Sequence, residues 1–251
     1  MTDYQPILDA AVDIAQRASD IALSHFRKTL LIEMKGDHTP VTVADRKTEE
    51  AIRRDLKRTF PSHGIFGEEF GAEFPNAEYV WTVDPIDGTR SFIRGIPAFG
   101  TLLGLLHNGE PVVGVMVLPA LKETYYAALG TGTLCNGTPV RVSPVSELNK
   151  ALVSCGDVSC FESTGHMRLL LSLMRKAELV RGYTDCFGHA LLLRGSVDAM
   201  IDPLVALWDV APIACLVKEA GGEYFSLDGK GLMEATTFVS CVPALKTQLV
   251  E

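Results

Sequence analysis

A mixed, layered α/β fold follows from three features of the 251-residue chain. A long amphipathic stretch opens it. Apolar runs separated by an Asn-Gly turn fill its middle. Beyond about residue 145, short apolar runs alternate with helical patterns. Helices that must bury one face against sheets give a layered architecture.

Over residues 3–27, Ile7, Ala10, Ala11, Ile14, Ala18, Ile21 and Ala22 recur at three- and four-residue spacing. This predicts one long helix with Asp3 as its N-cap. The polar segment Lys35-Gly36-Asp37-His38-Thr39-Pro40 reads as a loop. Residues 42–59 then read as a second helix with Ala44, Ile52 and Leu56 facing inward, ended by Pro61-Ser62-His63-Gly64.

Ile65-Phe66 is a short apolar run that leads into Gly67-Glu68-Glu69. Residues 79–83 read as a buried strand that ends at Asp84, where Pro85 is expected to stop the ladder. Residues 99–106 and 111–118 flank Asn108-Gly109, a hairpin signal. Residues 123–129 form the next strand, followed by a glycine-rich turn and Asn136-Gly137. In the last part, strands are expected at 151–154, from Leu179-Val180 and at 199–201. Helices are expected at 166–176, 187–195 and 209–220, the last closed by Gly221-Gly222. The change of pattern divides the chain into halves, 1–145 and 146–251.

Composition narrows the function. Hydrophobic residues make up 47% of the chain and charged residues 22%, so it can bury a core. A net charge of −8 repels phosphate backbones, which argues against nucleic acid as a partner. The six cysteines show neither Cys-x-x-Cys nor zinc spacing and read as reduced thiols. The N-terminus lacks the pattern of a secretory leader, and no apolar run is long enough to span a bilayer. A soluble cytoplasmic protein without membrane attachment is the expectation.

The chemistry concentrates in acids. In Trp81-Thr82-Val83-Asp84-Pro85-Ile86-Asp87-Gly88-Thr89, an apolar strand delivers Asp84, and Asp87 follows after a turn. Two neighbouring carboxylates repel unless a cation lies between them. Their hard oxygens favour Mg²⁺ or Mn²⁺. Gly88-Thr89 allows close backbone approach, and a helix starting there would aim N–H groups at a phosphate. Metals beside an anion cradle suit phosphoryl transfer to water.

Taken singly, each acid has an ordinary reading. Asp84 and Asp87 read as a turn and Glu68 as part of a solvated loop. Asp209, after Trp208, reads as a helix cap, and Asp45 as a surface residue. Together they lie at strand ends and helix starts, where α/β folds gather ligands.

At these residues the sequence resembles the inositol monophosphatase superfamily. One signature is residues 81–89 with Phe92 and Gly95-Ile96-Pro97. The other is Trp208-Asp209-Val210-Ala211-Pro212 running to Glu219-Ala220-Gly221-Gly222. Gly67-Glu68-Glu69 and the stretch from Lys35 to Asp45 match as well, in order. The resemblance implies an αβαβα sandwich, commonly homodimeric, that uses two or three Mg²⁺ ions (Mn²⁺ as a substitute). It implies that Glu68, Asp84 and the Ile86 carbonyl hold one metal, and Asp84, Asp87 and Asp209 a second. A weaker third metal would use Glu68 and water, with Glu69 close by. Asp45 and Thr89 would help activate the attacking water, with Glu68 part of the catalytic set. Gly88 and Thr89 N–H groups would hold phosphate, with Lys35 adding a cation.

The resemblance also implies a small phosphate monoester as substrate. Arg90-Ser91-Phe92-Ile93-Arg94-Gly95 and Tyr183-Thr184-Asp185-Cys186-Phe187-Gly188-His189-Ala190 are similar to bacterial histidinol-phosphate phosphatases. Histidinol carries an ammonium and an imidazole. Carboxylates at Asp185 and Asp202, with Asp87, would complement that charge. Asp185 also reads as a helix N-cap, and His189 as a packed helix residue. The alternatives are an inositol-1-monophosphatase, a broader sugar-phosphate phosphatase, and a catalytically silent regulatory homologue. Against the last stands the complete acidic set.

Overall fold

The computed structural model describes residues 3–28, 32–34 and 40–250. In chain order it opens with α1 (Gln5–His25), β1 (Ile32–Met34), β2 (Pro40–Thr42) and α2 (Val43–Thr59). There follow β3 (Gly64–Gly67), β4 (Gly71–Glu73), β5 (Tyr79–Asp87), the short α3 (Thr89–Ile93), β6 (Gly100–His107) and β7 (Glu110–Leu118). Next come β8 (Glu123–Ala128), β9 (Leu134–Cys135), β10 (Thr138–Pro139), β11 (Leu152–Cys155), α4 (Val158–Ser163) and α5 (Met167–Lys176). The chain ends through β12 (Leu179–Arg181), α6 (Asp185–Leu193), β13 (Ala199–Asp202), α7 (Leu207–Glu219), β14 (Glu223–Phe225) and β15 (Phe238–Cys241).

Among the described residues, eight strands form one sheet in the order β10-β9-β8-β7-β6-β5-β3-β4. Its pairs are antiparallel except β3 with β5. Five strands form a second sheet, β12-β11-β13-β15-β14, in which β11 runs parallel to both β12 and β13. Apolar faces set the stacking. Leu8 and Ile14 of α1 and Ile52 and Leu56 of α2 cover Trp81, Val83, Leu103 and Val113 on one face of the large sheet. Leu192 of α6 and Ile213 and Leu216 of α7 fill the space between the sheets, against Leu102, Met116 and Phe238. Phe161 of α4 and Leu170 and Leu173 of α5 close the outer face of the small sheet over Val153, Ile201 and Val239. The result is the expected αβαβα sandwich.

Two glycines bring α7 unusually close to the large sheet. Gly104 and Gly114 face each other across β6 and β7. A Cβ on Gly104 would lie 2.9 Å from the Pro212 nitrogen, and one on Gly114 would collide with the Pro212 carbonyl. The bare backbone therefore seats the first turns of α7, and with them Asp209.

The hairpin and cap signals act as expected. Asn108 and Gly109 have φ of 51° and 86°, the pair of left-handed residues that a two-residue hairpin turn needs. Gly221 (φ 83°) donates to the Lys218 carbonyl and Gly222 to that of Val217, which closes α7. Several boundaries differ. Tyr4 is the N-cap of α1, while Asp3 accepts from the Gln5 N–H at 3.0 Å. β5 does not stop at Pro85 but continues to Asp87 through an irregularity in its ladder. α6 begins at Asp185 and α7 at Leu207, each earlier than the apolar pattern suggested. α4, β14 and β15 add to the elements expected in the second half.

Candidate active site

Strict alternation along a strand would send Asp84 and Asp87, three residues apart, to opposite faces. In β5, Asp84 pairs with Leu102 and Asp87 with Gly100, so three steps oppose two on β6. The extra residue is a bulge. Pro85 fits inside it because no ladder N–H is required there, and its carbonyl accepts from Thr101 Oγ1 at 2.9 Å. The Ile86 N–H donates to Asp84 Oδ1 at 3.0 Å. Both carboxylates now turn toward one point.

Asp209 reaches the same point from α7. It is the third residue of the helix, not its cap; its Oδ2 accepts from the N–H of the cap residue Ala206 at 2.7 Å. Carboxylate oxygens of Asp84, Asp87 and Asp209 lie within 4.8 Å of one another. Glu68 joins them from the end of β3, where its N–H donates to the Val83 carbonyl at 3.1 Å. Its carboxyl is within hydrogen-bond reach of Asp84.

Electrostatics make this cluster costly by itself. Asp84 is 2% exposed. Burial, then the charges of Glu68, Asp87 and Asp209, push its carboxyl well above the usual range. Burial and Asp209 push Asp87 up to about 7. Burial pushes Asp209 to about 7, against the Ala206 hydrogen bond that pulls it down. Converging acids with this difficulty in ionising are what a divalent cation relieves, and the all-oxygen donor set suits a hard ion. The residues therefore fit Mg²⁺.

Next to the acids, Gly88 caps α3 with φ 80°. A Cβ there would sit 3.0 Å from the Ala98 carbonyl, so the turn admits glycine alone without strain. The N–H groups of the first helical turn have no acceptor within the helix. Thr89 Oγ1 donates to the Ile86 carbonyl at 2.9 Å and lies 3.4 Å from Asp45 Oδ1. Asp45 is buried, not on the surface. Its other oxygen accepts from the Thr42 N–H at 2.8 Å and hydroxyl at 2.6 Å, in a capping box that starts α2. Lys35 lies outside the described residues.

A small cleft of about 50 Å³ adjoins the cluster, lined by Asp87, Asp185, His189, Asp202, Leu204 and Asp209 among others. Asp185 is the first residue of α6, after the cap Thr184, and holds φ 57°. A non-glycine residue in that region costs about 1–2 kcal/mol. It follows that the fold imposes the conformation. It brings the Cys186 N–H onto Asp87 Oδ2 and leaves Asp185 Oδ2 beside Gly88. Burial and the charges of Asp87 and Asp202 push Asp185 up to about 8. Asp202 faces the cleft with Oδ2 bonded to His189 Nε2 at 2.9 Å.

The sequence profile of the inositol monophosphatase family matches residues 3–251. The chain belongs to that family. A histidinol-phosphatase of Chlorobaculum parvum is 38% identical to it over 238 residues, 92% of each chain. One of Mycobacterium tuberculosis is 39% identical over 225 residues, 87% of this chain and 86% of the relative. The solved structure of an inositol monophosphatase from Zymomonas mobilis superposes with a TM-score of 0.89 at 30% identity, over all of this chain and 98% of the other. The chain is thus a phosphatase of the inositol monophosphatase family. Among the described residues no helix is long and apolar enough to cross a membrane.

Three supports of this family site went unread in the sequence. Glu49, fully buried in α2, accepts from the N–H groups of Glu69 (2.7 Å) and Phe70 (3.3 Å) and pairs with Arg53 at 2.7 Å. Arg53 in turn donates to the Gly71 carbonyl, so the two clamp the loop that carries Glu68. The signal was present as a Glu-Arg pair at i, i+4 on the inner face of α2. The Thr42-to-Asp45 spacing is likewise a capping-box pattern. The Cys186 N–H that holds Asp87 comes from 99 residues away, and no local pattern announces it.

Proposed function

We propose that the chain hydrolyses L-histidinol phosphate to L-histidinol and phosphate with Mg²⁺. The observation that carries this reading is Asp185. Its carboxyl group stands beside Gly88 in the wall of the cleft, where the alcohol of a bound ester would lie. Asp185 and Asp202 give that wall two carboxyl groups, which an ammonium and an imidazolium would draw into their charged form and the hydroxyls of inositol would not. The names of the relatives that are 36–39% identical support the same substrate.

Glu68, Asp84, the Ile86 carbonyl, Asp87 and Asp209 would hold the metals. Bound Mg²⁺ would supply charge neutralisation for the phosphoryl oxygens and acidify the attacking water. Gly88 and Thr89 would orient the phosphate through backbone N–H groups, with Lys35 as a further cation. Thr89 would turn its hydroxyl hydrogen from the Ile86 carbonyl to Asp45 Oδ1, pass it there and take a proton from the water in its place, with Thr42 holding Asp45 by two hydrogen bonds. Asp87, Asp185 and Asp202 would bind the leaving alcohol. In this reading the enzyme is a cytoplasmic homodimer whose partner is a small phosphate ester rather than nucleic acid or membrane.

A second reading, hydrolysis of myo-inositol 1-phosphate, has the support of the inositol monophosphatase structures at up to 30% identity. Purified protein assayed with Mg²⁺ on both esters decides between them. A higher kcat/KM for histidinol phosphate is expected, and a clear preference for the inositol ester overturns the first reading.

A further inference from the structure

His189 is 4% exposed and lies on α6, away from the acidic cluster itself, yet it lines the cleft. Its Nε2 meets Asp202 Oδ2 at 2.9 Å, and its Nδ1 meets Ser240 Oγ at 2.8 Å. A carboxylate oxygen has no hydrogen to give, so Nε2 donates to Asp202, while Nδ1 pairs with the Ser240 hydroxyl. The ring is thereby partnered at both ends. Phe238 packs edge-on against it, with ring centroids 5.6 Å apart. Ser240 and Phe238 belong to β15, which is paired on both sides by β13 and β14, so the anchor is a central strand. On its other side Asp202 lies close against Gly156, where a Cβ would overlap Oδ1. The His189 hydrogen bond, anchored on β15 through Ser240, holds Asp202 facing the cleft.

We propose that His189 is a positioning residue that fixes Asp202 toward the leaving alcohol and so sets the preference for a cationic ester. This rests on the reading of the substrate as histidinol phosphate and goes beyond it by naming what holds the selecting carboxylate in place. A hydrophobic ring neighbour would pack His189's space equally well but would leave Asp202 without a donor. Selectivity, rather than turnover in general, is the quantity that should respond.

The test compares kcat/KM for histidinol phosphate with that for myo-inositol 1-phosphate, in the full chain with saturating Mg²⁺. His189→Leu should lower the ratio about tenfold or more, chiefly through KM for the cationic ester. His189→Gln, whose amide nitrogen can reach the place of Nε2, should restore most of it. Ser240→Ala, which frees the ring without touching the cleft, should give an intermediate ratio. Thermal melting of each variant reports the fold. If wild type prefers the cationic ester and His189→Leu keeps the wild-type ratio, the inference is overturned while the substrate reading stands. If both rates fall in proportion, His189 is merely structural and the inference is again overturned. If wild type shows no preference for the cationic ester, the substrate reading fails and takes this inference with it.

Discussion

Asp84 touches every part of the acidic cluster: Glu68 and Asp209 through hydrogen-bond contact, Asp87 through charge. Asp84→Asn keeps the size of the side chain and an oxygen for the Ile86 N–H, but removes one negative charge from the metal site. Turnover should fall on the order of 10³-fold, equivalent to about 4 kcal/mol of transition-state stabilisation. Steady-state rates at saturating Mg²⁺ measure it, and a rate within tenfold of the parent would remove Asp84 from the metal set. Thr89 allows a finer distinction. Thr89→Ser retains the hydroxyl between Ile86 and Asp45, whereas Thr89→Val is nearly isosteric and has none. Serine should lie within a few-fold of wild type and valine about 10²-fold below it, the ordinary yield of positioned proton transfer. Equal rates in the two variants would show that the hydroxyl takes no part.

At the scale of elements, the site depends on how closely α7 lies against the large sheet. Gly114→Ala would press a methyl group into the Pro212 carbonyl. Overpacking of this kind costs about 1–3 kcal/mol, and for a chain of this length each kcal/mol lowers Tm by about 2–4 °C. Because the displaced helix carries Asp209, activity should fall as well. A variant that melts normally and turns over normally would show that the approach is not needed. The same contact marks where sequence reading stops. The two motifs that carry the acids, the Asn108-Gly109 hairpin and the Gly221 cap are local, since each follows from a few neighbouring residues. The bulge that turns Asp87 toward Asp84 depends on pairing with β6, so Pro85 read as a strand end when it sits inside one. Glu49, Cys186 and Ser240 act across 20, 99 and 51 residues. Their partners are chosen by packing, which short-range pattern does not encode.

For the molecule as a whole, the clustered acids couple stability to pH and to metal. Asp87 and Asp209 are pushed up to about 7 and Asp185 to about 8, far above the ordinary carboxylate range. The metal-free folded state then holds protons that the unfolded chain has already released. Stability must fall as pH rises, by about 1.4 kcal/mol per pH unit for each extra proton held. The sign follows from the direction of the shift: the contribution is complete below about pH 4, where both states are protonated. It is lost as pH passes through the folded values of about 7 to 8. In chelator, melting temperature should therefore decline from about pH 6 to about pH 8.5, and partial water access to Asp87 and Asp209 will soften the slope. Mg²⁺ binds the ionised cluster of the native state, so added metal should raise the melting temperature, and by more at about pH 8.5 than at about pH 6. Asp84→Asn, with one fewer charge to hold apart, should melt above wild type in chelator at the higher pH and gain less from Mg²⁺. Melting curves of both proteins at the two pH values, with and without Mg²⁺, measure all of this. A chelated wild-type protein whose melting temperature stays level or climbs over that range would mean that the acids do not share one desolvated corner.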